Sequence, residues 1–197
     1  MREGKMLHTF IVHVEDRPGV LNRVASLFRR RAFNITSLTV GPTDKPGVSR
    51  MTIVVDTDDS AAARIEANLY KLVSVLRVEN ITAIPAVCRD LAMIKVAAPA
   101  EARTELIHLV HVFRAHVVDV APDSLVIEIT GAEDKIDSLV EVLRPYGILE
   151  MARTGRVAMS RGSSAPSSAR AAAMASATAL AAGLAAPDGD DHSVYSV

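Results

Sequence analysis

The stretch N-I-T-S-L-T-V-G-P-T-D-K-P-G-V-S-R-M-T-I-V-V, residues 34–55, decides how this chain is read. It holds two strands, over about 34–41 and 48–57, that are rich in β-branched residues and apolar at alternate positions. Pro42-Thr43-Asp44-Lys45-Pro46-Gly47 makes the turn between them. Asn34 follows directly on Arg29-Arg30-Arg31-Ala32-Phe33, a basic run of the kind a helix C-terminus favours. A polar amide therefore stands at a helix–strand corner, a suitable place to meet a small polar ligand. Nothing in the run looks like an activated nucleophile or a metal cage, and its Gly/Pro loop lacks the Lys-Ser/Thr ending of a phosphate loop. It points to a chain that senses rather than reacts.

Working outward, residues 8–15 alternate, with Phe10, Val12 and Val14 on one face and Ile11 and His13 on the other. Asp16-Arg17-Pro18-Gly19 breaks that strand; Asp16 is placed to cap a helix and Pro18 suits its first turn. The helix carries Val20, Val24, Leu27 and Phe28 on one face, with Leu21 and Ala25 beside them. After the strand pair, Asp58-Asp59-Ser60 caps a helix over 61–72, with Ile65, Leu69 and Leu72 inward, and a strand over 73–81 follows. The order β-α-β-β-α-β is the split βαβ, ferredoxin-like motif.

The same rhythm recurs: a strand at 91–97, a helix at 99–116, strands at 117–120 and 125–130, a helix at 132–143 and one extended segment at 148–159. A hinge is expected near Ile84-Pro85-Ala86. The predicted fold class is α+β: two βαββαβ ferredoxin-like modules at 6–82 and 89–162, then a tail at 163–197. Ser, Ala, Pro and Gly dominate that tail, and few large side chains are available to offset the entropy of ordering it, so disorder is expected there.

Composition narrows the function classes. Hydrophobic residues make up 49% of the 197, aromatics only 4%, and Trp is absent, so the core must be aliphatic. A formal net charge of −1 gives no general pull towards nucleic acid or an anionic membrane. Cys88, the single cysteine, can form neither an intrachain disulfide nor a zinc motif. With no secretory signal and no apolar run of membrane-spanning length, a cytoplasmic protein is expected.

Three places could carry chemistry. The first is the strand-to-helix corner with Asp16, Gly19, Val20 and Leu21, where free helix N–H groups suit a carboxylate and Asp16 suits an ammonium group. A free amino acid has both, though taken alone the corner also reads as an ordinary capped helix. The second is Asn34 with Ile35, which alone reads as a helix terminator. The two corners lie at opposite ends of one helix and do not easily sit together within one unit, but they could meet across a symmetric dimer. The third is His108, His111 and His116, read as solvated histidines because no further ligand is correctly spaced.

With those residues in view, the chain resembles the small, regulatory subunits of acetolactate synthase (acetohydroxyacid synthase). The likeness rests on V-E-D-R-P-G-V-L-N-R-V (14–24), N-I-T-S-L-T-V-G-P-T (34–43), S-R-M-T-I (49–53), K-L-V-S-V-L-R-V (71–78), F-R-A-H-V-V-D-V (113–120) and M-A-R-T-G-R-V-A-M-S-R-G (151–162). It implies an N-terminal ACT domain that pairs into a homodimer, with a branched-chain amino acid effector, usually valine, bound between protomers. The pocket would take Asp16, Gly19, Val20 and Leu21 from one chain and Asn34 and Ile35 from the other. It implies a catalytic large subunit as partner, which carries thiamine diphosphate, Mg and FAD and makes acetolactate from pyruvate. No catalytic or metal residue and no cofactor is expected on this chain. Where the family commonly has Asn, this chain has Asp16; a carboxylate only accepts hydrogen bonds, which assigns it to the effector's ammonium. The alternatives are a stand-alone ACT-type amino-acid sensor serving another enzyme or a transcription factor, and a metal- or His-dependent enzyme using the second module.

Overall fold

The structure, a computed structural model, describes residues 5–162; the expected disordered tail lies outside them. The first half runs β1 (Met6–Glu15), α1 (Val20–Arg30), β2 (Ile35–Pro42), β3 (Val48–Thr57), α2 (Asp59–Leu69) and β4 (Val75–Asn80). Its sheet has the order β2-β3-β1-β4, antiparallel throughout. The second half runs β5 (Ala86–Ala97), α3 (Ala100–Val112), β6 (His116–Val120), β7 (Ser124–Gly131), α4 (Glu133–Leu143) and β8 (Ile148–Arg153). Its sheet has the matching order β6-β7-β5-β8, and a further strand, β9 (Val157–Ser160), pairs with β5. Both halves are the ferredoxin-like α+β motif read from the sequence.

Period-two alternation builds each core. Phe10, Val12 and Val14 of β1 and Met51, Ile53 and Val55 of β3 face the helices, where they meet Val24 and Phe28 of α1 and Ile65 and Leu69 of α2. In the second half, Ile94 and Val96 of β5 and Ile127 and Ile129 of β7 meet Leu106 of α3 and Leu139 of α4. Each buried aliphatic side chain of this size contributes about 1.5–3 kcal/mol relative to exposure. Asp58 caps α2 as its sequence position suggested, accepting the Ala61 N–H at 2.7 Å and the Ser60 hydroxyl at 2.7 Å. The Ala61 N–H first, then Ser60, holds this carboxyl below the usual carboxylate range.

Several expectations need correction. Asp16 does not cap α1: the N-cap is Gly19, in the left-handed region at φ 83, with no side-chain cap, and Pro18 lies ahead of the helix rather than inside its first turn. The helix after Pro99 stops at Val112, four residues short of the expected 116. The hinge is shorter than expected, since Ala86 already belongs to β5. The single extended segment at 148–159 is two strands, β8 and β9, because they pair with different stretches of β5. The helix expected over 61–72 ends at Leu69; Tyr70 turns back so that its hydroxyl donates to Val78 O at 2.8 Å and accepts the Val78 N–H at 3.2 Å.

The first helix of each module ends in the same way. After α1, Ala32 has φ 55, its N–H donates to Arg29 O at 3.1 Å, and the Phe33 N–H donates to Phe28 O at 3.0 Å. After α3, Arg114 has φ 51, its N–H donates to His111 O at 3.0 Å, and the Ala115 N–H donates to Val110 O at 2.9 Å. Both are Schellman terminations, with a non-glycine residue in the left-handed position. A Cβ is strained there. Ala32→Gly and Arg114→Gly should therefore each stabilise the fold by about 0.5–1 kcal/mol, net of glycine's greater freedom when unfolded. Thermal melts should show a higher midpoint for both; a lower midpoint would contradict the strain argument.

The other face of the first sheet carries His13 beside Arg50 and Arg77. Burial first, then the charge of Arg50, holds His13 below its ordinary value; Arg77 and Lys45 add to this and Glu79 opposes it. The unfolded chain, whose histidine titrates near about 6.5, thus binds this proton more readily than the folded one. The contribution to stability is fully present above that value and is lost as pH falls through the lowered folded value. Melting midpoints should fall between about pH 7.5 and about pH 5, and His13→Gln should make the fall shallower. An unchanged slope in the variant would contradict the assignment.

Candidate functional site

Two loops clasp the corner between β1 and α1. The Glu15 N–H donates to Ser74 O at 2.9 Å and the Asp16 N–H to Gly47 O at 2.8 Å. Arg17 turns back with its N–H on Glu15 O at 3.0 Å, and Gly19 makes the left-handed step that starts α1. Only glycine takes that step without cost, and a Cβ there would meet no other atom within 4 Å, so the position is open to an incoming group. Asp16 and Gly19 are exposed. Val20 is buried, 4% exposed, with its side chain in the core, while Leu21 is 44% exposed. Leu21 and Asn22 are first-turn residues whose N–H groups have no acceptor within the helix, and no side chain caps them. Arg23 reaches across to Ser74 Oγ at 3.3 Å and leaves positive charge beside the same turn. The corner thus offers N–H donors, helix-dipole charge, the exposed apolar side chain of Leu21 and the exposed Asp16 carboxylate.

The second predicted half lies past the far end of α1. Asn34 is exposed, and Ile35 opens β2 half-buried against the core. α1 has 11 residues, so the two corners stand roughly 16 Å apart along its axis. The structure brings Asp16, Gly19, Val20 and Leu21 together, and separately Asn34 and Ile35; one chain does not join the two groups.

His111 and His116 line one pocket, and His108 is not part of that lining. His108 and His111 are exposed on α3, whereas His116 opens β6. Among the described residues, no group of three or more His, Cys, Asp or Glu is placed to hold a metal ion. No described helix is long and apolar enough to cross a membrane. Sequence reading missed a different place, where residues 154–158 press against the first sheet: the Arg156 N–H donates to Ser37 Oγ at 2.8 Å, and Arg50 donates to the Ala158 carbonyl. The local signal for it was a glycine, Gly155, set between polar residues within M-A-R-T-G-R-V-A.

With this geometry in place, comparison with known proteins is informative. Residues 10–77 match the family model for the AHAS small subunit-like ACT domain, and residues 89–162 match the model for the small subunit of acetolactate synthase. The acetolactate synthase small subunit of Mycolicibacterium smegmatis is 50% identical over 162 residues, covering 82% of this chain and 95% of its own. That of Mycobacterium leprae is 47% identical over 159 residues, covering 81% and 94%. The crystal structure of the acetolactate synthase small subunit from Thermotoga maritima superposes with a TM-score of 0.77 at 42% identity, covering 81% of this chain and 99% of that one. The match takes in both ferredoxin-like halves and both corners of α1, and the chain belongs to the acetolactate synthase small-subunit family.

Proposed function

We propose that this chain is the regulatory subunit of an acetolactate synthase: it binds the catalytic large subunit, raises its activity and makes it sensitive to valine or another branched-chain amino acid. The observation that carries this reading is the uncapped start of α1 beside Asp16, within a chain whose relatives share both modules. The effector carboxylate would sit on the first-turn N–H groups at Leu21 and Asn22, its ammonium on Asp16, and its branched side chain against Leu21. Asn34 and Ile35 of a second copy would close the site, which makes the working unit a homodimer paired through the first module. Thiamine diphosphate, Mg and FAD would belong to the catalytic subunit.

The energetics fit a feedback sensor. A dissociation constant of ~0.1–1 mM corresponds to roughly −4 to −5.5 kcal/mol. Two or three charge-assisted hydrogen bonds at ~1.5–3 kcal/mol each, with a small apolar contact, supply that after the costs of association. One methylene changes binding in such a pocket by only ~1–3 kcal/mol, so discrimination among valine, leucine and isoleucine rests on how tightly the second copy closes it.

Co-purification with the catalytic subunit and an acetolactate assay with and without valine test the proposal directly. The chain should bind, stimulate and confer inhibition; a chain that neither bound nor stimulated that partner would overturn the reading. Asp16→Ala should weaken valine binding by about tenfold or more, as expected for losing one charge-assisted contact, while stimulation persists. Unchanged valine affinity in calorimetry would remove Asp16 from the site. Gly19→Val should also abolish inhibition, but it adds backbone strain at φ 83, which makes Asp16→Ala the cleaner probe.

A further inference from the structure

The second half of the chain meets the first sheet at Ala158 of β9 and at Ala86 and Cys88 of β5, and most tightly at the short segment between β8 and β9. Gly155 lies so close to β2 that a Cβ there would stand 2.5 Å from Ser37 Oγ, 2.7 Å from Thr39 Oγ1 and 3.1 Å from the Leu38 carbonyl carbon. Its φ is outside the left-handed region, so the glycine answers to space and not to backbone conformation. Thr39 Oγ1 is buried with no partner among the described residues. Retaining an unpaired hydroxyl costs about 1–3 kcal/mol, a sign that the close packing is worth more than its polar penalty.

Arg156, the next residue, joins three elements. Its N–H donates to Ser37 Oγ on β2 at 2.8 Å, and its guanidinium donates to Thr9 Oγ1 on β1 at 3.3 Å and to Glu133 Oε2, the first residue of α4, at 2.9 Å. Behind it Ala158, 1% exposed, packs on Ile11 and Ile81.

Where this segment lands on β2 matters. β2 begins at Ile35, half of the split effector site, and Ser37 is two residues further on. Between them the register slips: Ile35 faces Val55 and Ser37 faces Val54, leaving Thr36 as an extra residue. A bulge interrupts the ladder and lets a strand bend. A ligand held by Asn34 and Ile35 therefore pulls on β2 beside this bulge, and Ser37 against Gly155 and Arg156 is the next contact along the strand. We infer that residues 154–156 sense the position of β2 and relay it to α4, so that the packing at Gly155 couples effector occupancy in the first module to the second. The inference rests on the proposed function, because it takes an amino-acid effector at Asn34 and Ile35. Its reach is limited by the effector's differential affinity for the two arrangements of β2.

The test uses the full chain reconstituted with the catalytic subunit. Gly155→Ala crowds the contact, and Arg156→Ala removes the link to Thr9 and Glu133. Stimulation, valine inhibition and calorimetric valine binding are measured for each. Both variants should keep stimulation and valine affinity within about threefold of wild type, while the ratio of activity without valine to activity at saturating valine falls towards one, a change of about fivefold or more, the size of a typical coupling factor. Arg156→Lys, which offers a point charge in place of a fork, should fall between. A variant whose thermal melt collapses is replaced by Ser37→Ala, which removes one hydroxyl and adds nothing. Inhibition indistinguishable from wild type in the folded variants would overturn the inference. A wild-type chain that is neither stimulatory nor inhibited would overturn the proposed function and the relay with it, so the wild-type control separates the two failures.

Discussion

α1 imposes the constraint on which the rest depends. It is pinned to the sheet by Val24, Leu27 and Phe28, and its two ends cannot approach each other. Its start carries the Asp16–Gly19 corner; its end passes through the left-handed Ala32 into β2 and Asn34. A rigid rod of roughly 16 Å keeps the two groups apart within one chain. A small amino acid cannot span that distance, so a shared site requires the start of one α1 to meet the end of another. Two-fold symmetry supplies that pairing twice over, once for each copy.

The same helix end connects the proposed site to the second module. Beyond Ala32 the chain enters β2, slips register at Thr36 and meets the 154–158 segment at Ser37. The first sheet is thus covered on one face by its own helices and on the other, in part, by the second half of the chain. β1 shows the result in a single strand: Phe10 and Val12 are buried against helices, while Thr9 and Ile11 are buried on the opposite face. A strand buried on both sides has little freedom to shift by itself. β2 is an edge strand of that sheet, hydrogen-bonded to a neighbour strand on one side only, so movement there would be the cheaper response to the proposed ligand.

Much of this was legible because it is local. Alternation in residues 48–57 fixed β3 to the residue, and the β-α-β-β-α-β order appeared twice from periodicity alone. Asp58 announced itself as a cap by its place before an apolar helix. What was not legible either lacked a local mark or depended on distant partners. Ala32 and Arg114 hold left-handed positions where glycine would have been the signal, so the end of α3 was read too late. Asp16 looks like a cap, yet its backbone is drawn to Gly47, and Gly19 starts the helix. The early start of β5 and the break between β8 and β9 follow from pairing across some seventy residues. The crowding at Gly155 follows from its contact with Ser37 and Thr39, far earlier in the chain, which no window on the sequence contains.

The central claim is that the effector site is built from the two ends of α1 in different chains. Mixing Asp16→Ala chains with Asn34→Ala chains and titrating the mixture with valine tests it directly. Hybrid dimers would carry one doubly damaged site and one intact site, so the mixture should recover valine binding that neither variant has alone. A mixture that binds no better than its parents, despite confirmed exchange of chains, would contradict a site shared between protomers.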